Sequence, residues 1–360
     1  MDIQPGRRRP VLFLGVPALV LSAVATLLAG VALHSAAGAT DAGPDRVTAR
    51  FTAAVELLAS PSDVVRASGV HALDGVLRDA PAEQSTVVPV LATFVRRQSQ
   101  LDAAEAAAGS VRRPAGPDRR PGVDVQAALT VIGRRDAARD RPGDRLDLTG
   151  AVLTGASLAQ ARLTGALLTG ARLDGADLTG ARLDRADLTE ADLRGAVLDR
   201  ASLREARLGG ADLTEARLNL AMLDRVTLAG AVLVGAALDG AGLTGATLVG
   251  ADLRGARLDA TNLTAADLTG ANLSDAYLGY VTAPGAELVR TRLVGANLVD
   301  IDLTDARLVG ANLNRAMLHG ATMVATEVTA EQISCAVLSD RTRLPAAMTT
   351  PVSPAPTCAD

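Results

Sequence analysis

The residues best suited to acid–base chemistry are aspartates that recur beside leucines in the second half of the chain. Asp177, Asp187 and Asp192 each stand directly before a leucine, and paired carboxylates can serve as a general acid and a general base. Arginines such as Arg172 and Arg182 take the same position in neighbouring repeats, and an extended chain turns these positions toward water. We therefore interpret the aspartates as a solvated charged surface.

The other residue types that commonly carry chemistry are scattered. His34, His71 and His319 are far apart in the sequence and give no metal-ligand spacing. Glycines follow a five-residue step and lysine does not occur at all, which excludes a phosphate-binding loop of the Gly-Lys type. We predict no catalytic, metal or cofactor site, and we expect that the protein is not an enzyme.

A five-residue repeat dominates residues 146–328. Leucine stands at every fifth position from Leu148 to Leu318, with Ala283 as the one departure. Two residues before each leucine there is usually alanine, with small or β-branched replacements such as Thr261 and Ile301. The array comprises roughly 36 repeats without an insertion.

This period excludes the two common regular structures. On an α-helix a step of five residues turns by about 140°, which spreads the leucines around the cylinder. In a continuous strand an odd period places successive leucines on opposite faces. A short extended piece followed by a corner fits the pattern, with glycines such as Gly150 and Gly155 at the corners. Four corners close a square coil of about twenty residues, and the array then forms about nine coils.

The pentad Ala176-Asp177-Leu178-Thr179-Gly180 resembles the repeat of the pentapeptide-repeat family, and such pentads cover half of the chain. The resemblance implies a mainly β fold, a right-handed quadrilateral parallel β-helix. The flanks are similar to a bacterial subgroup in which a membrane segment and an α-helical region, here including Arg50 to Leu58, precede the repeats. Many relatives place phenylalanine at the inward site, whereas this chain uses leucine.

The N-terminus predicts a membrane anchor. Residues 1–10 are basic, and Val11 to Leu33 carries no charge and could cross a hydrocarbon layer of about 30 Å as a helix. A cleavable signal peptide is the alternative, because Ala37-Gly38-Ala39 resembles a cleavage site. The arginines before the span favour a cytoplasmic N-terminus. We expect a single-pass protein of the bacterial cell membrane whose repeat domain is extracytoplasmic.

Helical patterns fill most of the chain between the anchor and the repeats. Val47, Phe51 and Val55 recur at helical spacing, Ser60 is a predicted N-cap, and a further helix is expected at about 81–97. The predicted divisions are a linker at 34–43, an α-helical region at 44–97, a low-complexity linker at 98–122, a short helix and lead-in at 123–145, the repeats at 146–328, and a cap helix with a Pro-rich tail at 329–360.

Two further features mark the C-terminal segment. Thr329 and Gln332 form a capping-box pattern that predicts a short helix through about Val337. Cys335 and Cys358 are the only cysteines. They could pair as a disulfide in an oxidising compartment, and in the cytosol they would be two separate thiols.

The last third of the array has one irregular stretch and an unusual set of outward apolar residues. Residues 279–285 interrupt the motif, and we expect them to bend a corner outward. The apolar residues reflect either the preference of such side chains for extended backbone or a docking or dimer surface. They are Tyr277, Tyr280, Val289, Val294 and Val299.

The balance of outward charges helps to decide between two binding functions. The leading interpretation is a membrane-anchored scaffold that presents its faces to another macromolecule, with an unknown protein partner or a second copy of the chain. The alternative is imitation of duplex DNA to bind DNA gyrase, as in relatives of the quinolone-resistance type. Residues 146–328 hold 22 acidic residues and 16 arginines, which is far from the charge density of a phosphate backbone. We do not expect nucleic acid as a partner.

Overall fold

The computed structural model of this chain describes residues 42–108, 120–141 and 143–348. The chain divides into two compact units, one ending at Pro81 and the other beginning at Ala82. The predicted membrane helix, Val11 to Leu33, lies outside the described residues. Among the described helices, none combines the length and the apolar character that a bilayer crossing needs.

The first unit contains two packed helices, α1 (Ala42–Leu57) and α2 (Asp63–Asp79). They approach closely at Gly69, where an added Cβ would lie 2.8 Å from the carbonyl oxygen of Ala54. The predicted N-cap at Ser60 is wrong, because α2 begins two residues further on, after Ser62. The hydroxyl of Ser60 instead accepts a hydrogen bond from the Ser62 N–H at 3.2 Å.

A 3-10 turn (Pro81–Glu83) precedes α3 (Gln84–Ala107) of the second unit, and α4 (Val123–Gly133) packs against α3. The predicted linker at 98–122 is therefore wrong over 98–107, which continue α3. The alanines of this stretch are strong helix formers. A 3-10 turn, Ala137–Arg139, leads from α4 toward the repeats.

The repeats coil with a period of twenty residues. Parallel β-bridges join residues twenty apart, from Asp147 with Leu167 to Arg307 with Glu327. The backbone follows one pattern: Leu168 N–H donates to the Asp187 carbonyl of the next coil at 2.7 Å, for example. The expected mainly β fold needs one correction, because the described repeats contain no extended strand and each pentad contributes a single bridging residue.

The interior of the coil consists of the alanine and leucine of each pentad. Nearly all of these side chains, from Leu148 to Met323, are less than 6% exposed. Thr261 and Thr291 replace alanine in the interior, and their hydroxyls donate to the carbonyls of Leu258 and Leu268 at 2.8 and 2.9 Å. The inward placement that the five-residue period predicts is confirmed.

The irregular stretch 279–285 does not bend a corner outward, so that expectation is wrong. Ala283 points inward with 2% exposure, and Thr282 forms bridges with the coils on both sides. Pro284 occupies the second position of a turn closed by the Ala286 N–H and the Ala283 carbonyl at 3.2 Å. Proline suits this position, since its fixed φ fits the turn.

The fifth residue of each pentad has a positive φ whether or not it is glycine. Gly250 and Gly255 have φ of 65° and 62°, and Ala260 and Tyr280 have 58° and 59°. Sequence reasoning assigned this conformation to glycine alone. The backbone pattern favours it at all of these positions, because the N–H of nearly all of these residues donates to a carbonyl of the next coil, as from Ala260 to Gly279 at 2.8 Å.

The first coil is covered by hydrogen bonds from α3, α4 and the residues directly after α4. The Val152 N–H donates to the Ser99 hydroxyl at 3.1 Å, and the Ser157 N–H donates to the Gln126 side chain at 3.0 Å. The Arg162 N–H donates to the Gly133 carbonyl at 2.9 Å. In later coils the equivalent N–H groups donate to carbonyls of the preceding coil. The helices therefore provide hydrogen-bond partners for a coil edge that would otherwise be unpaired.

At the other end the predicted capping box of Thr329 and Gln332 is confirmed. The helix it starts, α5 (Ala330–Ile333), has only four residues, so the predicted extension to about Val337 is wrong. Val337 instead bridges to Met317 of the last full coil. A 3-10 turn, Ala346–Met348, ends the described chain.

Two leucines of one pentad test the inward placement. Leu218 is 1% exposed and Leu220 is 54% exposed. We expect Leu218→Ala to destabilise the repeats by about 2–5 kcal/mol, because it leaves a cavity, and Leu220→Ala to have little effect. Denaturant unfolding of the two variants measures this, and similar losses for both would contradict the assignment.

The corner conformation is tested by exchanging residues at neighbouring corners. Gly255→Ala should destabilise the protein by about 1 kcal/mol, although no atom lies within 4 Å of the added Cβ, because the positive φ disfavours a side chain. Ala260→Gly should stabilise it by up to about 1 kcal/mol for the same reason. Shifts of the thermal unfolding midpoint in the same direction would refute the explanation.

Candidate interaction surface

The twenty-residue period stacks outward side chains into columns, so that one face of the coil collects pentads twenty apart. The pentads 276–280, 296–300, 316–320 and 336–340 lie on one face, which we call the Tyr277 face. Bridges join Tyr277 to Asn297, Asn297 to Met317 and Met317 to Val337. The column therefore presents a tyrosine, an asparagine, a methionine and a valine in succession.

Several side chains of the Tyr277 face are both apolar and exposed. Tyr280 is 67% exposed, Tyr277 49%, Val337 46% and Met317 36%. Val299 lies among them and is half-buried. Large apolar groups exposed together mark a surface where binding can bury them.

The structure groups only three of the five predicted surface residues. Tyr277, Tyr280 and Val299 share the Tyr277 face, whereas Val289 and Val294 lie in pentads of two other faces. Both of those valines are half-buried. The structure adds Met317 and Val337 to the exposed apolar residues of the Tyr277 face.

Charged residues become sparse along this face where the apolar residues begin. The earlier pentads carry many charges, whereas the four pentads of the Tyr277 face contain only Asp300 and Asp340. Among the earlier charges, Arg217 pairs with Asp199, and Arg257 pairs with Asp239 at 2.8 Å. The change along one face separates a charged half from an apolar half.

Elsewhere on the coil, acidic and basic side chains pair between neighbouring coils. Arg307 contacts Glu287 and Glu327, each at 3.0 Å. The hydrogen bonds that Arg307 donates, first to Glu327 and then to Glu287, raise the pKa of Arg307 above its ordinary value. Arg185 binds Glu205 at 2.9 Å. These pairs are exposed, so each contributes little to stability, but they cancel charge along the columns.

The aspartates beside the leucines have a backbone role that sequence reasoning missed. Within each pentad the N–H after the leucine has no partner in the repeating backbone pattern. Asp212 accepts this N–H from Thr214 at 2.9 Å, and Asn262 accepts it from Thr264 at 2.9 Å. Side chains of this type commonly cap turns two residues ahead. Pro284 occupies the same position and has no N–H to satisfy.

One face satisfies the same N–H groups by a ladder that runs between coils. The Asn219 N–H donates to Asp199 at 3.0 Å, the Asp239 N–H to Asn219 at 3.1 Å, and the Asp259 N–H to Asp239 at 3.2 Å. The Gly279 N–H ends the ladder on Asp259 at 2.8 Å. The ladder stops where the Tyr277 face begins.

The remaining candidates for chemistry do not form a site. A cavity of about 210 Å³ lies between α3 and the segment 135–147. Four of its charged groups form ion pairs, Arg96 with Asp147 at 2.5 Å and Arg135 with Asp140 at 3.1 Å. Within the described residues, no group of His, Cys, Asp and Glu could hold a metal ion. Cys335 is disulfide-bonded, but Cys358 lies outside the described residues, so their pairing stays a prediction.

Comparisons with known proteins place the chain in a family. A model described as pentapeptide repeats matches eight copies, over residues 147–185, 181–219, 221–259, 246–282, 256–293 and 286–323. A solved structure of HetL, a pentapeptide repeat protein involved in heterocyst differentiation regulation in Nostoc, is 36% identical, covering 54% of this chain and 85% of HetL. The chain therefore belongs to the pentapeptide-repeat family, which implies a right-handed β-helix.

The TM-score with HetL is 0.38. QnrB1, a plasmid-mediated fluoroquinolone resistance protein, is 16% identical, with 46% of this chain and 92% of QnrB1 covered and a TM-score of 0.32. A pentapeptide repeat protein of the Arabidopsis thaliana thylakoid lumen is 27% identical, with 30% of this chain and 68% of that one covered and a TM-score of 0.19. No curated protein matches the chain.

The turn-capping carboxylates make stability depend on pH. Hydrogen bonds from Arg194 and Arg254 lower the pKa of Asp192 and Asp252 respectively, against the opposing effect of burial. A carboxyl whose pKa is lower in the folded state contributes stability above its unfolded pKa of about 3.9 and loses it as the pH falls through the folded value.

Asparagine should keep the turn and remove this pH dependence. Asn272 shows that it can, by accepting the Ser274 N–H at 3.2 Å. We expect Asp192→Asn with Asp252→Asn to lose less stability than the unmodified chain as the pH falls below about 4. The cost at pH 7 should stay near 1 kcal/mol, since the pairs are partly exposed. Urea unfolding at both pH values measures this, and equal acid sensitivity would contradict the role.

Proposed function

We propose that this chain is a non-catalytic, membrane-anchored scaffold that binds a partner protein through its Tyr277 face. The observation that carries the proposal is the exposed apolar group of Tyr277, Tyr280, Met317 and Val337 on a stretch almost free of charge. Tyrosine and methionine are enriched in protein interfaces and charged residues are depleted from interface centres. The partner surface should be apolar at its centre.

The size of the Tyr277 face favours a short segment of a partner. Tyr277 and Val337 are three coils apart, or about 15 Å at the usual spacing of paired backbones. A stable dimer of whole proteins commonly buries about 800 Å² on each side, which is more than a single face of this length offers. A helix or an extended segment of another protein fits the available length.

The proposal also includes the membrane anchor and the location of the repeat domain outside the cytoplasm. The uncharged span Val11 to Leu33 comes after a basic N-terminus, and this order favours export of the chain beyond the span. The repeats would then stand outside the cytoplasm of a bacterial cell. Protease added to intact cells should digest the repeat domain, and protection until the membrane is permeabilised would overturn this orientation.

Imitation of DNA, the alternative, is disfavoured by the charge pattern. A mimic of duplex DNA needs dense, continuous negative charge. Here acidic side chains pair with arginines in successive coils, as in the Arg307 column between Glu287 and Glu327. Inhibition of purified DNA gyrase by the full chain would revive the alternative.

The interaction surface is tested by comparing two exposed residues of one column. Leu220 occupies the same column as Tyr280, three coils earlier and within the charged half. A photoreactive phenylalanine analogue at position 280 should crosslink one partner in intact cells, and the same probe at position 220 should not. Binding of that purified partner should weaken at least about tenfold for Tyr280→Asp.

Leu220→Asp serves as the matched control and should leave binding unchanged. Aspartate tolerates a positive φ better than tyrosine or leucine, so neither variant should lower the unfolding midpoint. Equal binding of the partner by the two variants would contradict the proposal. Crosslinks from position 280 only to a second copy of the chain would replace the separate partner with self-association.

A further inference from the structure

Two neighbouring faces of the coil lack arginine in the region of the Tyr277 face. They are the Tyr277 face itself and the face that follows it in each coil, at 276–285, 296–305 and 316–325. Their acidic residues are Asp300, Asp302 and Asp305. The other two faces, at 286–295 and 306–315, hold one acidic residue and four arginines: Glu287, Arg290, Arg292, Arg307 and Arg315. Acidic and basic charge is therefore separated around the coil, and the Tyr277 face lies on the acidic side.

Asp300 comes next after Tyr280 in the column of fifth residues. The Tyr280 N–H donates to the Val299 carbonyl at 2.9 Å, and the Asp300 N–H donates to the His319 carbonyl at 2.8 Å. The two corners are thus one coil apart, or about 5 Å. The Asp300 carboxylate lies over Gly320, where it takes the place that a side chain would occupy. An aromatic ring and a carboxylate therefore occupy successive corners of an apolar face.

Glu205 shows how the coil pairs an acidic corner residue when arginines share its column. It lies between Arg185 and Arg225, at 2.9 and 3.9 Å. Asp300 has Tyr280 and Gly320 in the corresponding places. Within the part of the chain that the structure describes, no residue forms an ion pair or a hydrogen bond with the Asp300 carboxylate. Residues 349–360 contain neither arginine nor lysine, so the C-terminal segment has no such side chain to offer.

The arginines of the following coil are too far away to neutralise the acidic side. Arg343 bridges to Thr322, and Thr322 bridges to Asp302. Two coils, or about 10 Å, therefore separate Arg343 from Asp302, which exceeds the range of an ion pair. Asp302 itself caps a turn by accepting the Thr304 N–H at 3.0 Å. Asp300 is left as the carboxylate that a partner can reach on the Tyr277 face.

We propose that the Tyr277 face binds an arginine of the partner segment, held between the Tyr280 ring and the Asp300 carboxylate. This inference rests on the proposed function and specifies the chemistry of its partner. A guanidinium stacks on an aromatic ring and donates two parallel hydrogen bonds to a carboxylate, and a spacing of one coil suits both contacts. Apolar residues on either side of this arginine pack against Tyr277, Met317 and Val337.

Two fluorescent peptides test the arginine site on the full chain, purified in detergent. Each peptide has leucine at its second and sixth positions, serine at the odd positions, and either arginine or glutamine at the fourth. In an extended peptide the second, fourth and sixth side chains point to one face. Fluorescence anisotropy should show about fivefold tighter binding of the arginine peptide, since an exposed ion pair and a cation–π contact are each modest.

Asp300→Asn removes the charge and keeps the shape of the side chain, so it should reduce this preference to less than about twofold. Asp305→Asn is the matched control, because it removes the same charge at a corner whose column neighbours are Gly285 and Ala325. The preference should persist in this control. Persistence in Asp300→Asn would overturn the inference. Equal losses in the two variants would also overturn it, because they would assign the preference to overall charge.

Met317→Ser separates this inference from the proposed function. The loss of an apolar contact should weaken both peptides by a similar factor and leave the ratio of their affinities unchanged. If Met317→Ser weakens binding but the two peptides bind the unmodified chain equally, the arginine site is wrong and the apolar surface stands. If neither peptide binds, or if Met317→Ser changes neither affinity, the proposed function fails together with the inference.

Discussion

The coil depends on a narrow interior that accepts one small and one branched apolar side chain from every pentad. The alanine and leucine sites are almost fully buried from the first coil to the last, and dense packing of this kind penalises both larger and smaller side chains. Each buried leucine contributes about 1.5–3 kcal/mol. Since neighbouring coils also share a regular set of backbone hydrogen bonds, stability accumulates from many similar contributions.

Because the core uses only two residues of each pentad, the outward positions are available for other functions. Many of them hold aspartates or asparagines that cap the turns, or arginines that pair with acidic residues of a neighbouring coil. The Tyr277 face departs from that use, because apolar groups replace the charges over four successive coils. A scaffold built in this way can place a binding surface on one face without disturbing the core beneath it.

The five-residue period was sufficient to predict the coil, its inward leucines and its turns from sequence. The same period, folded at twenty residues, also places Tyr277, Asn297 and Met317 in one column; grouping Val289, Val294 and Val299 by coil instead spread the predicted surface over three faces. The capping role of Asp212 could have been found from the recurrence of aspartate and asparagine directly before leucine. Turn capping was overlooked because charged residues on an outward position are usually explained by solvation alone.

The helical elements were harder to predict because their signals compete locally. Ser60 and Ser62 are both suitable N-caps, and only the tertiary structure selects the second. The stretch after Gln98 combines helix-forming alanines with an adjoining Arg- and Pro-rich composition, which obscured the true end of α3 at Ala107. At the C-terminus the capping box marks the start of α5 correctly, but four residues later the chain returns to the coil, where Val337 pairs with Met317.

The twenty-residue register is the central claim, and engineered disulfides test it most directly. Thr247 and Asp267 form a parallel bridge, so Thr247→Cys with Asp267→Cys should crosslink rapidly under mild oxidation, since neighbouring paired residues lie within disulfide range. Thr247→Cys with Arg257→Cys places the thiols on opposite faces, and this pair should stay reduced. Crosslinking of the second pair, or its failure in the first, would show that the chain does not close a square coil every twenty residues.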